Sequence, residues 1–250
     1  MNAGVEMRQI LRTIRSRHSE RGPFYKKSVA KADIKQILEA AQWAPTPHNM
    51  QNFEILVVDD KERLEAIGKI PAYMPESFLR ENYAQLSFSE EELRVKRTGM
   101  LASEFPRAWT NPEAWNPESD YTFQQTIVGR SMRNTPALVV VLYDRAKRAP
   151  GSDRDILGLI GLGCVLENMW LMSDALGIGF HVLTIFSDSS VEKEIKKLLA
   201  VPDNMKVAFA CGIGYPAKPS KNPRVRRNLD NFVHHNQFGH KDVLWSEPKS

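Results

Sequence analysis

The stretch RDILGLIGLGCVLENMWLMSDAL, residues 154–176, decides the architecture. Its apolar side chains, from Ile156 and Leu157 through Val165 to Met169, Trp170 and Leu171, fall nearly all round a helix. Such a helix must be buried on most sides. Its length would almost permit a membrane span, but Glu167, Asn168 and Asp174 would then sit in hydrocarbon, which argues against one. The stretch is predicted to be a central helix, or one in a subunit interface. Gly158, Gly161 and Gly163 lower its helix propensity and in return allow close approach by a neighbour. They do not make a dinucleotide fingerprint. That motif needs a strand before it and a helix opening at it, and position 166 is Leu.

Outward from this helix, periodicity divides the chain. Residues 5–16 and 31–43 read as helices; the second has Asp33 as a candidate cap and Ile34, Ile37, Leu38 and Ala41 on one face. Pro45 and Pro47 stop it. The short apolar run 53–58 reads as a strand and 61–69 as a helix. Residues 71–122 form the least regular part, with helical character at 75–84 and 90–104; this is expected to be an inserted lid or excursion. Residues 123–133 are predicted helical and 137–143 a strand. After the long helix, Gly177–Ile178–Gly179 makes a turn and 180–185 a strand. A helix follows over 187–200, capped by Ser187 or Asp188, then a strand over 206–213. Residues 229–235 read as a last helix or an extended arm. Roughly four strands against about nine helical stretches predict an α+β fold, a small sheet covered by helices. The expected organisation is one domain over 1–238 and a polar tail over 239–250.

The chain has 250 residues, 42% of them hydrophobic, and a mean hydropathy of −0.40, which fits a soluble chain with a sizeable core. Its 34 basic and 30 acidic residues give a net charge of +4. That balance attracts anions but is too even to indicate nucleic acid. The two cysteines, Cys164 and Cys211, lie in apolar runs without a CxxC partner, so reduced core thiols and a cytoplasmic location are expected. The first residues show no signal-peptide pattern. No histidine pairs with another ligand at metal-site spacing, and no G-x-S-x-G elbow is present.

Three polar stretches carry candidate chemistry. Arg17–His18–Ser19–Glu20–Arg21 follows the first helix. Its bland reading is a basic helix end favoured by the dipole. Its sharper reading is an anion site, in which arginine forks, a hydroxyl and an imidazole bind a phosphate. Glu20 has no role there and is expected to be solvated. The loop 44–51 holds Pro45, Thr46, Asn49 and Gln51 just before a core strand. It is either a helix-stop loop or a rigid wall for a planar polar ligand. Arg224 and Arg226, far along the chain, form a solvated charged face unless they meet the first cluster.

In this order, these stretches resemble the FMN-dependent nitroreductase family. Arg17-His18-Ser19-x-Arg21 is similar to its R-R/H-S-x-R/K motif, and Ala44-Pro45-Thr46-x-x-Asn49-x-Gln51 to its A-P-S-x-x-N-x-Q-P-W loop. Ala175-Leu176-Gly177-Ile178-Gly179 resembles its A-x-G-L-G, and Gly214-Tyr215-Pro216 with Arg224-x-Arg226 its G-Y-P and late basic pair. The resemblance covers residues 8–70 and 123–235. It implies a small mixed or antiparallel sheet wrapped by helices, and a long central helix at a homodimer interface with FMN bound there. Arg17, His18 and Ser19 would contact the FMN phosphate and ribityl chain, closed by Arg224 and Arg226. Arg21 would lie near the flavin N1/O2 edge, where a fixed cation favours an electron-rich ring. Pro45, Thr46, Asn49 and Gln51 would line the ring from the partner subunit. Thr184 and Ile185 match the position where the family offers backbone N–H to flavin N5 and O4. The activity implied is a ping-pong reductase. It takes hydride from NADH or NADPH and passes it to a small electron acceptor such as a nitroaromatic or quinone, with no nucleic acid or membrane partner. Asn52-Phe53 in place of Pro-Trp, the residue added at Gly22-Pro23, and Thr184-Ile185 in place of a Glu-Gly or Gly-Gly type pair depart from the pattern. Specialised relatives, a reductive dehalogenase or a flavin-fragmenting enzyme, are the nearer alternatives. A basic nucleic-acid-binding module and a flavin-binding protein without activity are the more distant ones.

Overall fold

A computed structural model describes residues 3–72, 81, 87–105, 113, 127–132, 134–218 and 220–241. Contacts divide the chain into two compact units, Met1–Tyr73 with Tyr121–Ser220, and Met74–Asp120 with Lys221–Ser250. The first unit opens with α1 (Ala3–Ser16), α2 (Lys31–Gln42), β1 (Phe53–Val58) and α3 (Lys61–Gly68). The second holds β2 (Ser87–Phe88), α4 (Glu90–Lys96) and β3 (Met100–Leu101), with β2 and β3 paired in parallel. The first then resumes with α5 (Ile127–Ser131), β4 (Ala137–Asp144), α6 (Ile156–Ala175), β5 (Gly179–Leu183), α7 (Ser189–Leu198) and β6 (Met205–Gly214).

The main sheet has strand order β1-β4-β6-β5, every neighbour antiparallel. This is the α+β arrangement expected of the sequence. The unbroken apolar run of β4 follows from its central place. Ala137 to Leu142 are all buried, so neither face of that strand needs polar side chains. Register aligns Val57, Val139, Cys211 and Val182 across the sheet. That face packs against Ile34, Ile37 and Ala41 of α2 and Leu162, Val165 and Met169 of α6. Cys211 is fully buried there, and burial pushes its thiol pKa well up, as a core thiol requires. The opposite face carries Leu138, Val140, Ala210, Gly212 and His181. The remaining buried residues of this unit include Ile67 of α3, Val128 of α5 and Ile195 of α7.

The β4–β6 ladder slips at Val141/Leu142, where Val141 faces Phe209 but Leu142 faces Val207. Ala208 is thus a bulged residue, and its neighbour's amide needs a partner. Glu192 of α7 supplies it: its Oε1 accepts from the Val207 N–H at 3.0 Å, while Oε2 accepts from Lys206 Nζ at 3.1 Å. A charged residue is almost never this buried unless paired; here the carboxylate closes an irregularity in the sheet.

The long helix is three residues shorter than the stretch read from the sequence, two at its start and one at its end. Arg154 and Asp155 take left-handed backbone, φ 47° and 70°, so α6 begins at Ile156. The glycines divide in role. A Cβ on Gly161 would sit 3.1 Å from Pro47 Cδ, and one on Gly158 would sit 3.3 Å from Asn52 Nδ2, so both are close-approach points; one on Gly163 would meet nothing within 4 Å. Nor is the helix covered on most sides. Ile156, Leu159 and Ile160 are 52%, 52% and 57% exposed, leaving an apolar row along its first two turns. Its composition would suit a membrane span, yet α2 and the sheet cover its other side as they would a core helix.

Other boundaries differ for local reasons. Ala30, not Asp33, is the N-cap of α2; the Asp33 carboxylate instead accepts from the Tyr215 hydroxyl at 3.2 Å. The helix expected over 90–104 ends at Lys96, because Arg97 is left-handed, and β3 and a 3-10 turn follow. Ser89 and Glu92 form its capping box. Asp188 caps α7. Residues Leu229–Asn231 are a 3-10 turn, not a helix. Of the helix expected over 123–133, residues Ile127–Ser131 are helical. Of the helix expected over 75–84, only residue 81 is described, and it is helical; residues 242–250 of the tail lie outside the described residues.

Two outcomes follow for stability. Glu192→Ala leaves the Val207 amide and Lys206 without their acceptor and is expected to cost about 1–3 kcal/mol in urea unfolding; an unchanged midpoint would show that the bulge does not need it. His181 has its pKa pushed down to about 4, first by burial and then by the charge of Arg21, against a smaller opposing effect of the hydrogen bond the imidazole donates to Ser131 backbone. The folded pKa lies below the unfolded one, so this stability is complete above pH 6.5 and is lost as pH falls toward 4. The loss is on the order of 3 kcal/mol. His181→Phe should flatten the pH dependence of the unfolding midpoint across that window; the wild-type slope persisting in the variant would assign it elsewhere.

Candidate functional site

The basic motif after α1 is extended, not a continuation of the helix. Ser19 bridges Phe180 of β5 in parallel, and the Glu20 N–H donates to the Phe180 carbonyl at 3.1 Å. Trp170 of α6 holds the same segment from the other side. Its indole Nε1–H donates to the His18 carbonyl at 3.0 Å, and its ring stacks on Phe180 with centroids 5.5 Å apart. The Arg17 guanidinium lies 4.2 Å from the Trp170 ring centroid, within cation–π range. Arg17 Nε is 3.2 Å from Glu167 Oε1. That contact is close enough for an ion pair but is not aligned as a hydrogen bond, so the buried Nε–H has no acceptor.

Glu20 is not solvated. Its carboxylate accepts twice from the Ser220 N–H, at 3.0 and 3.2 Å, and lies 3.9 Å from His18 Nδ1. Ser220 Oγ in turn is 3.4 Å from His18 Nε2. The expectation failed because an isolated Glu between basic residues reads as surface charge, while its partner is an amide some 200 residues later, invisible to local pattern.

Arg21 is exposed, and its charge reaches His181, whose Nδ1 is buried without a hydrogen-bond partner. Beyond it the chain turns through Gly22 and a cis Pro23, and Phe24 buries itself against β5 and β6. A Cβ on Gly179 would lie 2.7 Å from the Phe24 ring, and one on Gly214 would lie 2.8 Å from it. The two glycines of the A-x-G-L-G-like and G-Y-P-like stretches therefore make room for the segment that follows the motif.

The loop 44–51 is braced by its own polar groups. Thr46 Oγ1 accepts from the Gln51 N–H at 3.2 Å, and Asn49 Oδ1 accepts from Gln51 Nε2 at 3.1 Å. His48, Asn49 and Gln51 all have positive φ, from 42° to 53°. That is sparsely populated backbone for residues other than glycine, and it persists only where the surroundings enforce it. Pro45 is exposed, while Thr46 and Pro47 rest on Gly161 of α6. Arg17 meets the same helix at Glu167 and Trp170. The six to nine residues between those contacts correspond to about 9–13 Å along the axis, so one chain does not bring the loop and the motif together.

Thr184 and Ile185 lie not at a strand end but in a 3-10 turn, Thr184–Ser187, that follows β5. Thr184 is exposed and Ile185 half-buried. Arg224 and Arg226 belong to the second unit and are exposed there, Arg226 Nη1 donating to the Val225 carbonyl. Among the described residues, no group of three or more His, Cys, Asp or Glu is placed to hold a metal. The residues that pattern reading missed, Glu167, Trp170, His181 and Ser220, act by position. The one local signal was a charge and an indole three residues apart, hence on one face, in a largely apolar helix.

The sequence model of the Nitroreductase family matches residues 14–215. A curated relative from Archaeoglobus fulgidus, named "Putative NADH dehydrogenase/NAD(P)H nitroreductase", is 24% identical over 210 residues, covering 84% of this chain and 87% of its own. Among solved structures, a nitroreductase with bound FMN from Bacteroides fragilis is 21% identical with a TM-score of 0.56, over 90% of this chain and 99% of its own. An FMN-dependent nitroreductase from Clostridium difficile is 20% identical with a TM-score of 0.57, over 90% and 98%. Fold, ordered motifs and the match over most of its length agree: the chain belongs to the nitroreductase family.

Proposed function

We propose that this chain is an FMN oxidoreductase that takes reducing equivalents from NADH or NADPH and delivers them, by a ping-pong mechanism, to a nitroaromatic, quinone or similar small acceptor. The observation that carries the proposal is the Arg17 guanidinium. It is held over Trp170 beside the extended Ser19 backbone, with a buried Nε–H that lacks an acceptor. Buried donors are normally satisfied, and an unfilled arginine donor fits an anion such as a flavin phosphate. Arg17, His18 and Ser19 would hold the phosphate and ribityl chain, Arg21 the electron-accepting edge of the ring, and the turn at Thr184 and Ile185 its N5/O4 side by backbone N–H. The redox chemistry would be that of the flavin, whose N5 accepts and donates hydride. The protein's part is position, field and exclusion of water. Relatives named for FMN and for NAD(P)H support the cofactor and the donor.

The reading includes a homodimer in a cytoplasmic setting. Pro45, Thr46, Asn49 and Gln51 would reach the flavin from the partner subunit, which accords with their distance along α6 from Arg17. The exposed apolar row Ile156, Leu159 and Ile160 supports a second copy packed there. So does the apolar face of α1, where Met7, Ile10 and Leu11 are exposed.

Purified chain stripped of flavin and mixed with FMN is expected to keep a flavin spectrum through gel filtration, and to bleach on adding NADH or NADPH. No retained flavin would refute the cofactor. Arg17→Ala should weaken FMN retention by about tenfold or more, a loss of some 1.4 kcal/mol, with cooperative unfolding preserved; unchanged affinity removes Arg17 from the site. Ile160→Asp should shift sedimentation from dimer to monomer and reduce FMN retention with it. A dimer that tolerates this substitution would put the interface elsewhere.

A further inference from the structure

We propose that Trp170 is the positioning residue of the anion site: it fixes Arg17 and the His18–Ser19 backbone in the arrangement that receives a phosphate. This rests on the FMN reading above and assigns its phosphate recognition to a residue of α6 that does not itself touch the ligand.

Three contacts converge on this one side chain. The indole N–H donates to the His18 carbonyl at 3.0 Å and fixes the path of the motif. The ring face lies under the Arg17 guanidinium at 4.2 Å. The same side chain stacks on Phe180, at 5.5 Å between centroids and 24° between planes. Phe180 is fully buried and is itself the residue that Ser19 and Glu20 pair with. The His18 backbone, the Arg17 head and, through Phe180, the adjoining Ser19 are therefore all referred to a single aromatic side chain.

The need for such a device is entropic. An arginine side chain carries about 2 kcal/mol of rotamer freedom, and an exposed one must lose much of it on binding. Arg17 has lost it in advance. Its guanidinium rests over the indole ring, and the Glu167 carboxylate lies 3.2 Å from Nε, so two neighbours restrict where the head can go. Glu167 is only half-buried, so solvent screens its charge and leaves the guanidinium electrostatically available. The buried Nε–H has no hydrogen-bond acceptor, so the acidic neighbour restrains the head by charge without satisfying that donor. Preorganisation of this kind raises affinity by removing an ordering cost, with no additional contact to the ligand.

The test compares FMN with riboflavin, which has the same ring and ribityl chain but no phosphate. Binding of each to the flavin-free full-length chain is followed by quenching of flavin fluorescence, in wild type, Trp170→Leu and Trp170→Phe. Wild type is expected to bind FMN far more tightly than riboflavin. Trp170→Leu, which removes both the stack and the N–H donor, is expected to weaken FMN binding by about tenfold or more while riboflavin affinity stays within about twofold. Trp170→Phe keeps an aromatic face but no donor and should fall between the two for FMN alone. Parallel loss of both flavins would mean that Trp170 merely supports the fold, and unchanged FMN affinity would mean that Arg17 needs no platform; either overturns the proposal. Should Trp170→Leu fail to unfold cooperatively, Trp170→Phe decides by the same ratio. A wild-type chain that binds neither flavin overturns the FMN reading and the positioning role together, whereas binding by wild type with no FMN-selective loss in the variants overturns only the latter.

Discussion

One hydrogen bond, from the indole of Trp170 to the carbonyl of His18, joins the parts of this structure that matter most to each other. Trp170 belongs to the core helix α6, while His18 belongs to a polar segment that makes no helix or sheet of its own. Without an external partner such a segment would expose its backbone to water and wander. Here it is pinned by α6 on one side and by Phe180 of β5 on the other. The order of construction is therefore sheet, then helix, then motif. Burial of Val139, Val165 and Met169 places α6 against the sheet. That placement delivers Trp170 to Phe180, and only then does Arg17 have a surface to rest on.

Close approach recurs as the means by which the polar segments are held. Gly161 admits Thr46 and Pro47, while Gly179 and Gly214 admit Phe24. In each case the absent side chain is on the apolar scaffold, and the incoming residue belongs to a stretch with candidate chemistry or to the segment directly after one. The loop 44–51 adds backbone strain, with three consecutive or near-consecutive left-handed residues, His48, Asn49 and Gln51. Its polar side chains bond one another and its prolines limit rotation, so the strained form is enforced locally.

Much of the fold was legible in the sequence because it obeys local rules. The continuous apolar run of β4, the one-faced α2 and the long apolar α6 each carry their period openly, and the four strands of the sheet fall where β-branched and apolar runs predict. Boundaries set by single residues did not show. Arg97 ends α4 and Arg154 and Asp155 delay α6 by adopting left-handed backbone, which no composition signal demands of arginine. At the candidate site, the arginines, the serine and the loop were recognisable as chemistry-bearing types in order. Glu20 was misjudged because its partner, Ser220, is far along the chain. Trp170 was counted as one more apolar residue of a helix, since nothing local says that its N–H meets a carbonyl of His18.

The position of the loop and the motif on one helix makes α6 a ruler. Gly161 marks where Thr46 and Pro47 rest, and Trp170 marks where Arg17 and His18 rest. Substitution within that interval changes what the ruler is made of, but insertion or deletion changes its graduation. One residue added between the two marks would turn one contact about 100° away from the other and slide it about 1.5 Å, out of register with a sheet that cannot follow. The length of this helical interval is thus held more tightly than its composition, and natural variation in this chain should exchange residues there far more readily than gain or lose them.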